Sequence, residues 1–437
     1  MMTQTPIAHS AFRGADIPNY DFLVNCMHCG LCLPQCPTYA LTQQEKSSPR
    51  GRIRLIKSVA VGDLPITQGF IDEMNFCLDC QACETACPAG VQYGALAESA
   101  RAQIFQQGLE STISTLTKKF ILKWVFSKPR RIKLLAQALK FYQGIGLRWF
   151  FQKTGLLKIL SGTLHEVQGL APTISERASS EMYAEVVQPI GEKKYTVGFL
   201  SGCIMDVAYA DINVDTIELL RWHGCQVVIP PVQVCCGSLQ GHNGDRETAR
   251  ELARINIDAF SKYKLDAIIM NSAGCGAFMK EYGHIFENDF AISQAARDLS
   301  AKVKDITEFL AEIEYRPGSS AYAGKRVTYH DACHLVHTQK ISRQPRELIR
   351  AVRGIDFVEL PESTWCCGSA GIYNITHYND SMKLLKRKLD HIRHIKPDMI
   401  VTGNPGCLAQ IQYGLEKEGI EVELVHTATF LRRACEE

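Results

Sequence analysis

Two runs of the chain, CMHCGLCLPQCP from Cys26 to Pro37 and CLDCQACETACP from Cys77 to Pro88, share the spacing C-x2-C-x2-C-x3-C-P and lie 51 residues apart. A cubane iron–sulfur cluster takes one thiolate per iron corner, and three cysteines at two-residue intervals curl around three corners of one cluster. The fourth, followed by proline, faces away from that curl. Zinc sites usually draw on pairs of C-x2-C, which leaves the third cysteine and the trailing Cys-Pro without a purpose. A disulfide framework belongs to secreted chains. The start MMTQTPIAHSAFRGAD has no basic segment followed by an apolar run, so no signal peptide is expected. The spacing calls for two [4Fe-4S] clusters.

The doubled motif resembles that of two-cluster ferredoxins. In that pattern the fourth cysteine of each run ligates the other cluster. The resemblance implies Cys26, Cys29, Cys32 and Cys87 on one cluster, and Cys77, Cys80, Cys83 and Cys36 on the second. The 40 residues between Cys36 and Cys77 are too many for two strands and a turn. They hold the helix-like SPRGRIRLIKSVAVG and FIDEMNF, with Ile53, Ile56 and Val59 at helical intervals. The segment resembles the helical ferredoxins of quinone-linked dehydrogenases and implies an all-α domain over residues 1–105, closing with ALAESARAQIFQQ.

A length of 437 residues leaves room for further domains, and 46% hydrophobic content can fill their cores. A formal charge of +2 points to no polyanionic partner, so no nucleic acid is expected. Nowhere do about 18 apolar residues run together, which argues against a membrane-spanning helix. A reducing cytoplasm suits the free thiolates.

Residues 106–160 differ from the rest. No acidic residue falls between Glu110 and Glu166, while Lys118, Lys119, Lys123, Lys128, Arg130, Arg131, Lys133, Lys140, Arg148, Lys153 and Lys158 are basic. Ile132, Leu135, Leu139 and Tyr142 recur at helical steps with Lys133, Gln137 and Lys140 opposite, and Trp124, Phe126, Phe141, Trp149, Phe150 and Phe151 add aromatic bulk. Three readings stand: a helical connector, a dock for an acidic partner, or a peripheral contact with the inner face of the cytoplasmic membrane. Residues 161–194 turn polar and unpatterned, and are expected to form a linker.

The remaining motifs form an internal repeat, expected over 195–315 and 316–437. YTVGFLSGC ends at Cys203, VCCG holds Cys235 and Cys236, and IIMNSAGCG holds Cys275. VTYHDAC ends at Cys333, WCCGSAG holds Cys366 and Cys367, and IVTGNPGC holds Cys407. Corresponding cysteines lie 130, 131, 131 and 132 residues apart. Each follows a short apolar run (TVGFL, QVVIPPVQV, DAIIM; VTY, DFVEL, DMIVT), and helix-patterned stretches such as ARELARINIDAF and MKLLKRKLDHI come between. Strands alternating with helices imply a parallel α/β sheet, with functional groups beyond the carboxyl ends of its strands. The fold class is therefore multidomain: an all-α ferredoxin unit followed by two α/β cysteine-rich repeats.

Adjacent cysteines before glycine make a poor disulfide but aim two sulfurs at one site. The repeats resemble the cysteine-rich CCG domains of heterodisulfide reductases and several dehydrogenase subunits, in which a C-x-x-C closes the motif. Here Ser272 and Asn404 replace the first cysteine of that pair. With four cysteines left, a conventional cluster, a zinc ion and an empty thiol site all stand as readings of Cys203, Cys235, Cys236 and Cys275, and of Cys333, Cys366, Cys367 and Cys407. His330, His334 and His337 flank Cys333 as candidate ligands or proton shuttles, or as ordinary core histidines. Cys225 and Cys435 read as ordinary free thiols.

Along nearly its full length the chain resembles the iron–sulfur subunits of bacterial glycolate oxidases. The resemblance implies FAD on partner subunits that oxidise glycolate to glyoxylate, and a quinone-type acceptor. No G-x-G-x-x-G opens a helix after a strand, so the flavin step falls to another chain. Related complexes for glycerol-3-phosphate or lactate are the runner-up. A disulfide reductase is the rival of another class, weakened by the missing cysteine of each repeat.

Overall fold

The computed structural model describes residues 10–111, 116–118, 120–160, 162–318 and 322–435, so Lys119 of the basic stretch lies outside the described residues. Residues 10–111 are helices and turns, in the order Tyr20–Val24, Pro37–Thr42, Pro49–Ala60, Gln68–Phe76, Ala82–Thr85 and Tyr93–Gln106, with a 3-10 turn at Glu45–Ser47. Ser48 caps Pro49–Ala60 by accepting from the Gly51 N–H, and Thr67 caps Gln68–Phe76 by accepting from the Phe70 N–H. Ile53, Ile56 and Val59 share one buried core with Phe70, Met74, Leu96 and Ala97.

The first repeat forms a sheet from β1 (Val186–Val187), β2 (Tyr195–Phe199), β3 (Cys225–Val228), β4 (Ala267–Met270) and β5 (Val303–Asp305), ordered β1-β3-β2-β4-β5. The second is built from β6 (Arg326–His330), β7 (Asp356–Phe357), β8 (Met399–Thr402) and β9 (Glu423–His426), ordered β7-β6-β8-β9. All neighbours are parallel except β1 with β3. With β1 set aside, the two sheets have one topology. QVVIPPVQV is strand only as far as Val228, because Pro230 and Pro231 follow. DFVEL pairs only at Asp356 and Phe357. The stretch 161–194, expected as a linker, holds a helix at Gly162–Leu170 as well as β1.

The repeats interlock. The helix Ala210–Trp222 between β2 and β3 packs on Thr427–Arg433 after β9, and Ile306–Glu312 after β5 packs on Arg343–Ala351 between β6 and β7. These two contacts are images of each other under the repeat. One hydrophobic core runs through both sheets, joining Val197, Phe199 and Leu220 to Val327, Tyr329, Met399 and Phe430, and it contains Cys225 and Cys435 as buried apolar side chains.

The basic stretch is helical at Phe120–Val125, Pro129–Gly144, Leu147–Thr154 and Leu156–Leu160. Pro129–Gly144 packs through Ile132 and Ala136 against Val207. Leu135, expected on the inward face, is instead exposed, together with Leu134, Phe141 and Ile145. Ile132 is buried and Leu139 and Tyr142 are half-buried as their spacing predicts, but the helix carries apolar residues on its outer side as well, so sequence period alone misplaces Leu135. Gly162–Leu170 is fastened to the second repeat by Glu166, whose carboxylate accepts from Tyr378 (2.9 Å), Tyr413 (2.7 Å) and Lys417 (2.6 Å).

Partial burial works against ionisation of Glu166, but these three donors hold its pKa at about 2, below the ordinary 4.5. The anchorage is therefore complete above pH 4.5 and is lost as pH falls through about 2. Glu166→Gln should reproduce the acid state at neutral pH. Loss of about 1 kcal/mol from this partly exposed cluster predicts roughly fivefold faster tryptic cleavage within the lysine-rich helices before it. Time-resolved proteolysis read by mass spectrometry checks it.

Candidate functional site

The eight cysteines of the first two motifs line two adjoining cavities. One is bordered by Cys26, Cys29, Cys32 and Cys87, with Cys83 at its wall. The other is bordered by Cys36, Cys77, Cys80 and Cys83. Each fourth cysteine stands with the other motif's cavity, and Cys83 separates the two. Pro37 lets the chain leave Cys36 directly into a helix, since its missing N–H falls where no helical partner exists.

Both loops take the same unusual backbone path. His28 (φ 56°) and Gly30 (φ 88°) in the first match Asp79 (φ 54°) and Gln81 (φ 58°) in the second. Left-handed residues set between right-handed ones gather N–H groups into an anion-binding concavity, as iron–sulfur sites require. The Asp79 N–H and the Tyr93 hydroxyl each reach the Cys77 sulfur at 3.4 Å. Burial and the neighbouring thiols push Cys80 and Cys83 well up as free thiols. A bound metal centre would supply the positive charge that stabilises them as thiolates. The donor set and backbone cradle fit a four-thiolate cluster in each cavity.

Sequence reasoning missed the cations around these cavities. Arg52 is fully buried; it donates to the Glu73 carbonyl at 2.8 Å and the Thr38 hydroxyl at 3.0 Å, and pairs with the Glu73 carboxylate at 3.5 Å. Burial opposes its charge, but Tyr93, Cys77, Cys36 and Glu73 around it hold its pKa above the usual value. Arg101 donates to the Met74 and Cys77 carbonyls and pairs with Asp79 at 3.6 Å. An arginine inside an apolar helical pattern was the available signal.

The repeat cysteines also converge. In the first repeat Cys203 and Cys235 are 3.5 Å apart, and Cys236 neighbours Cys275. Hydrogen bonding with Cys203 and Cys236 draws Cys235 and Cys275 down, while the same contacts and burial push Cys203 and Cys236 up. In the second, Cys333 neighbours Cys366, and Cys367 lies 3.6 Å from Cys407. Gly237 and Gly368 each have φ 90°, and a Cβ at Gly368 would meet the Ser381 carbonyl at 2.7 Å, so the turn after each cysteine pair requires glycine.

The residues in place of the missing cysteines meet. Ser272 and Asn404 are 3.5 Å apart across the repeat junction, and the Asn404 side chain also accepts from the Gly274 N–H at 3.3 Å. Of the flanking histidines, His334 donates to the Asp79 carbonyl at 3.0 Å and His337 shares a 3.0 Å hydrogen bond with Thr85. Both thus tie the second repeat to the Cys77–Cys87 loop. Cys80, Cys366 and Cys333 meet there in one apolar cluster with Trp365.

Residues 23–91 match the 4Fe-4S dicluster domain, residues 114–171 the linker region of the glycolate oxidase iron–sulfur subunit, and residues 197–280 and 327–412 the cysteine-rich domain. The probable glycolate oxidase iron–sulfur subunit of Bacillus subtilis (strain 168) is 39% identical, over 94% of each chain. The chain belongs to the glycolate oxidase iron–sulfur subunit family. The glycolate oxidase iron–sulfur subunit of Escherichia coli (strain K12) is 32% identical over 87% of this chain and 88% of its own. Lactate utilization protein A of Oceanobacillus iheyensis is 34% identical over 52% of this chain and 93% of its own. Among solved structures, a hypothetical protein from Helicobacter pylori covers 78% of this chain and 77% of its own at a TM-score of 0.43 and 11% identity, too distant to inform the site.

Arg52→Met tests the electrostatic role of the buried guanidinium. Removing a positive charge beside Cys36 and Cys77 disfavours the reduced, more negative cluster. The midpoint potential of a cluster in the cavity bordered by Cys36 and Cys77 should fall by about 60 mV, equivalent to about 1.4 kcal/mol for a one-electron couple. The other cluster should move less. Redox-poised electron paramagnetic resonance distinguishes them.

Proposed function

We propose that this chain is the electron-transfer subunit of a complex that oxidises a small 2-hydroxy acid, glycolate, on a flavin-bearing partner and delivers the electrons towards a quinone-type acceptor. The observation that carries the reading is the pair of thiol-lined cavities sharing Cys83, in a chain of this family. Cys26, Cys29, Cys32 and Cys87 would hold one [4Fe-4S] cluster, and Cys36, Cys77, Cys80 and Cys83 the other. When bound, these supply one-electron chemistry that divides the two-electron step of a flavin. The chain's own part is to position the clusters side by side and to offset their negative charge with Arg52 and Arg101. We assign residues 1–105 to the cluster-bearing helical unit, 106–160 to the basic connector, 161–194 to the segment that joins it to the first sheet, and 195–315 and 316–437 to the repeats.

The connector supports a peripheral contact with an anionic lipid surface, where a quinone resides. Leu134, Phe141 and Trp149 are 66%, 68% and 63% exposed, among basic residues with no acidic neighbour in sequence from 111 to 165. Arg131 lies over the Trp124 ring and Lys153 over the Trp149 ring. Among the described residues no helix is long and apolar enough to cross a membrane.

Anaerobically purified protein should carry about eight irons per chain from the two cubanes. Mixed with its flavin partner, it should be reduced by glycolate faster than by lactate. Reduction by lactate alone would shift the assignment to the lactate class, and no reduction by either would sink it.

The lipid contact has its own test. At about 1 kcal/mol per basic residue near the surface, Lys128→Glu with Arg130→Glu should weaken binding to phosphatidylglycerol vesicles at least roughly thirtyfold, with iron content unchanged. Co-sedimentation that is equal for wild type and variant, or equal on neutral and anionic vesicles, would leave the connector reading in place.

A further inference from the structure

We propose that the two cysteine-rich repeats are not equivalent, and that the second alone is a zinc site, with His330, Cys367 and Cys407 as ligands. The ligand atoms of these three residues lie within 4.8 Å of one another, and all three residues are buried. The sulfurs of Cys367 and Cys407 are 3.6 Å apart. A tetrahedral zinc with bonds of about 2.0–2.3 Å sets its ligands roughly 3.3–3.8 Å from each other, so the trio needs little movement to close on an ion.

His330 is the strongest part of the case. It is 1% exposed, and neither ring nitrogen makes a hydrogen bond of good geometry. The Ser363 carbonyl, which it approaches, is shared with the Asp331 N–H at 3.2 Å and the Lys388 ammonium at 3.1 Å. A buried imidazole so weakly partnered is costly, and a metal ion at one nitrogen removes that cost.

The surroundings match a thiolate-rich site. The Asn404 amide donates to the Cys407 sulfur at 3.6 Å, in the manner of groups that orient metal ligands from behind. Lys388, fully buried on the helix Tyr378–Ile395, brings a positive charge that acts on Cys367, Cys366 and Cys407. Cys366, which interacts with Cys367, offers a further sulfur for a fourth position. One imidazole with soft thiolates in a closed, buried pocket selects zinc over oxygen-seeking cations.

The first repeat lacks this arrangement. Where the second repeat has His330, three residues before Cys333, the first has Leu200, three residues before Cys203. Among the described residues, the four cysteines of the first repeat form no comparable trio. The other group of this kind among the described residues, Asp79, Glu98 and His242, is engaged by the guanidinium groups of Arg101 and Arg246 instead of a metal ion.

The test uses the full chain, purified anaerobically with zinc supplied, and measures zinc and iron per chain together with zinc-edge X-ray absorption. The expected result is one zinc per chain, with sulfur and one imidazole in its shell. Zinc should fall by about tenfold or more in His330→Leu, which installs the first repeat's residue, and in Cys407→Ser. Cys236→Ser in the first repeat should keep it. Iron content in each variant reports whether the fold survives, and Cys407→Ser serves if His330→Leu does not fold. Zinc below one-fifth of an equivalent at full iron, zinc unchanged in His330→Leu and Cys407→Ser, or zinc lost equally in Cys236→Ser would each overturn the proposal. The site stands apart from the substrate reading, which fails on reduction by a hydroxy acid while this one fails on zinc.

Discussion

A carboxylate buried where three parts of the chain meet sets the terms for the rest of the molecule. Asp79 is fully enclosed between the cluster-bearing helices and the repeats, with His242 at 3.4 Å and Arg101 at 3.6 Å. Burial opposes its charge, but His242 and Arg101 hold its pKa at about 2, while burial of His242 is overcome by Glu98 and Asp79, which carry it up to about 10. Removing one member of such a group leaves the others charged and unpaired, at a cost of about 3–5 kcal/mol. The loop that carries Asp79 also carries Cys77, Cys80 and Cys83. The electrostatic lock that fixes the junction therefore also fixes the cluster beside it.

Order along the thiols follows from that lock. Cys83 borders both cavities of the first unit, Cys80 shares an apolar cluster with Cys333 and Cys366, and Asn404 links the Cys407 sulfur to Ser272. His334 and His337, which sequence reading set beside Cys333 as candidate ligands, serve this junction by bonding Asp79 and Thr85. His330, three residues before Cys333, makes no hydrogen bond of good geometry and is the residue whose chemistry the fold leaves open.

The cysteine spacings were legible because thiolate geometry tolerates few alternatives, and the repeat was legible because its register held over more than a hundred residues. The strands at β2, β4, β6 and β8 could be read from continuous apolar runs. β5 and β9 could not: Val303–Asp305 and Glu423–His426 are short and carry polar residues at sheet edges, where hydrogen bonding to a neighbour, not side-chain pattern, makes the strand. The outward row of Pro129–Gly144 was hidden for the opposite reason, an excess of apolar residues on every side. Arg52 and Arg101 showed only as arginines inside apolar helical patterns, and their roles, like that of His242, were not legible because they depend on elements distant in sequence.

The contact between Ser272 and Asn404 ties the history of the two halves together. If the chain arose by duplication, each half-site faced the same position of its twin from the moment the halves folded onto each other. A bulky or charged newcomer at either place would collide with its counterpart, so the two positions must drift as a couple. A comparison of descendants should then find them co-varying more tightly with each other than either does with the cysteines in its own half.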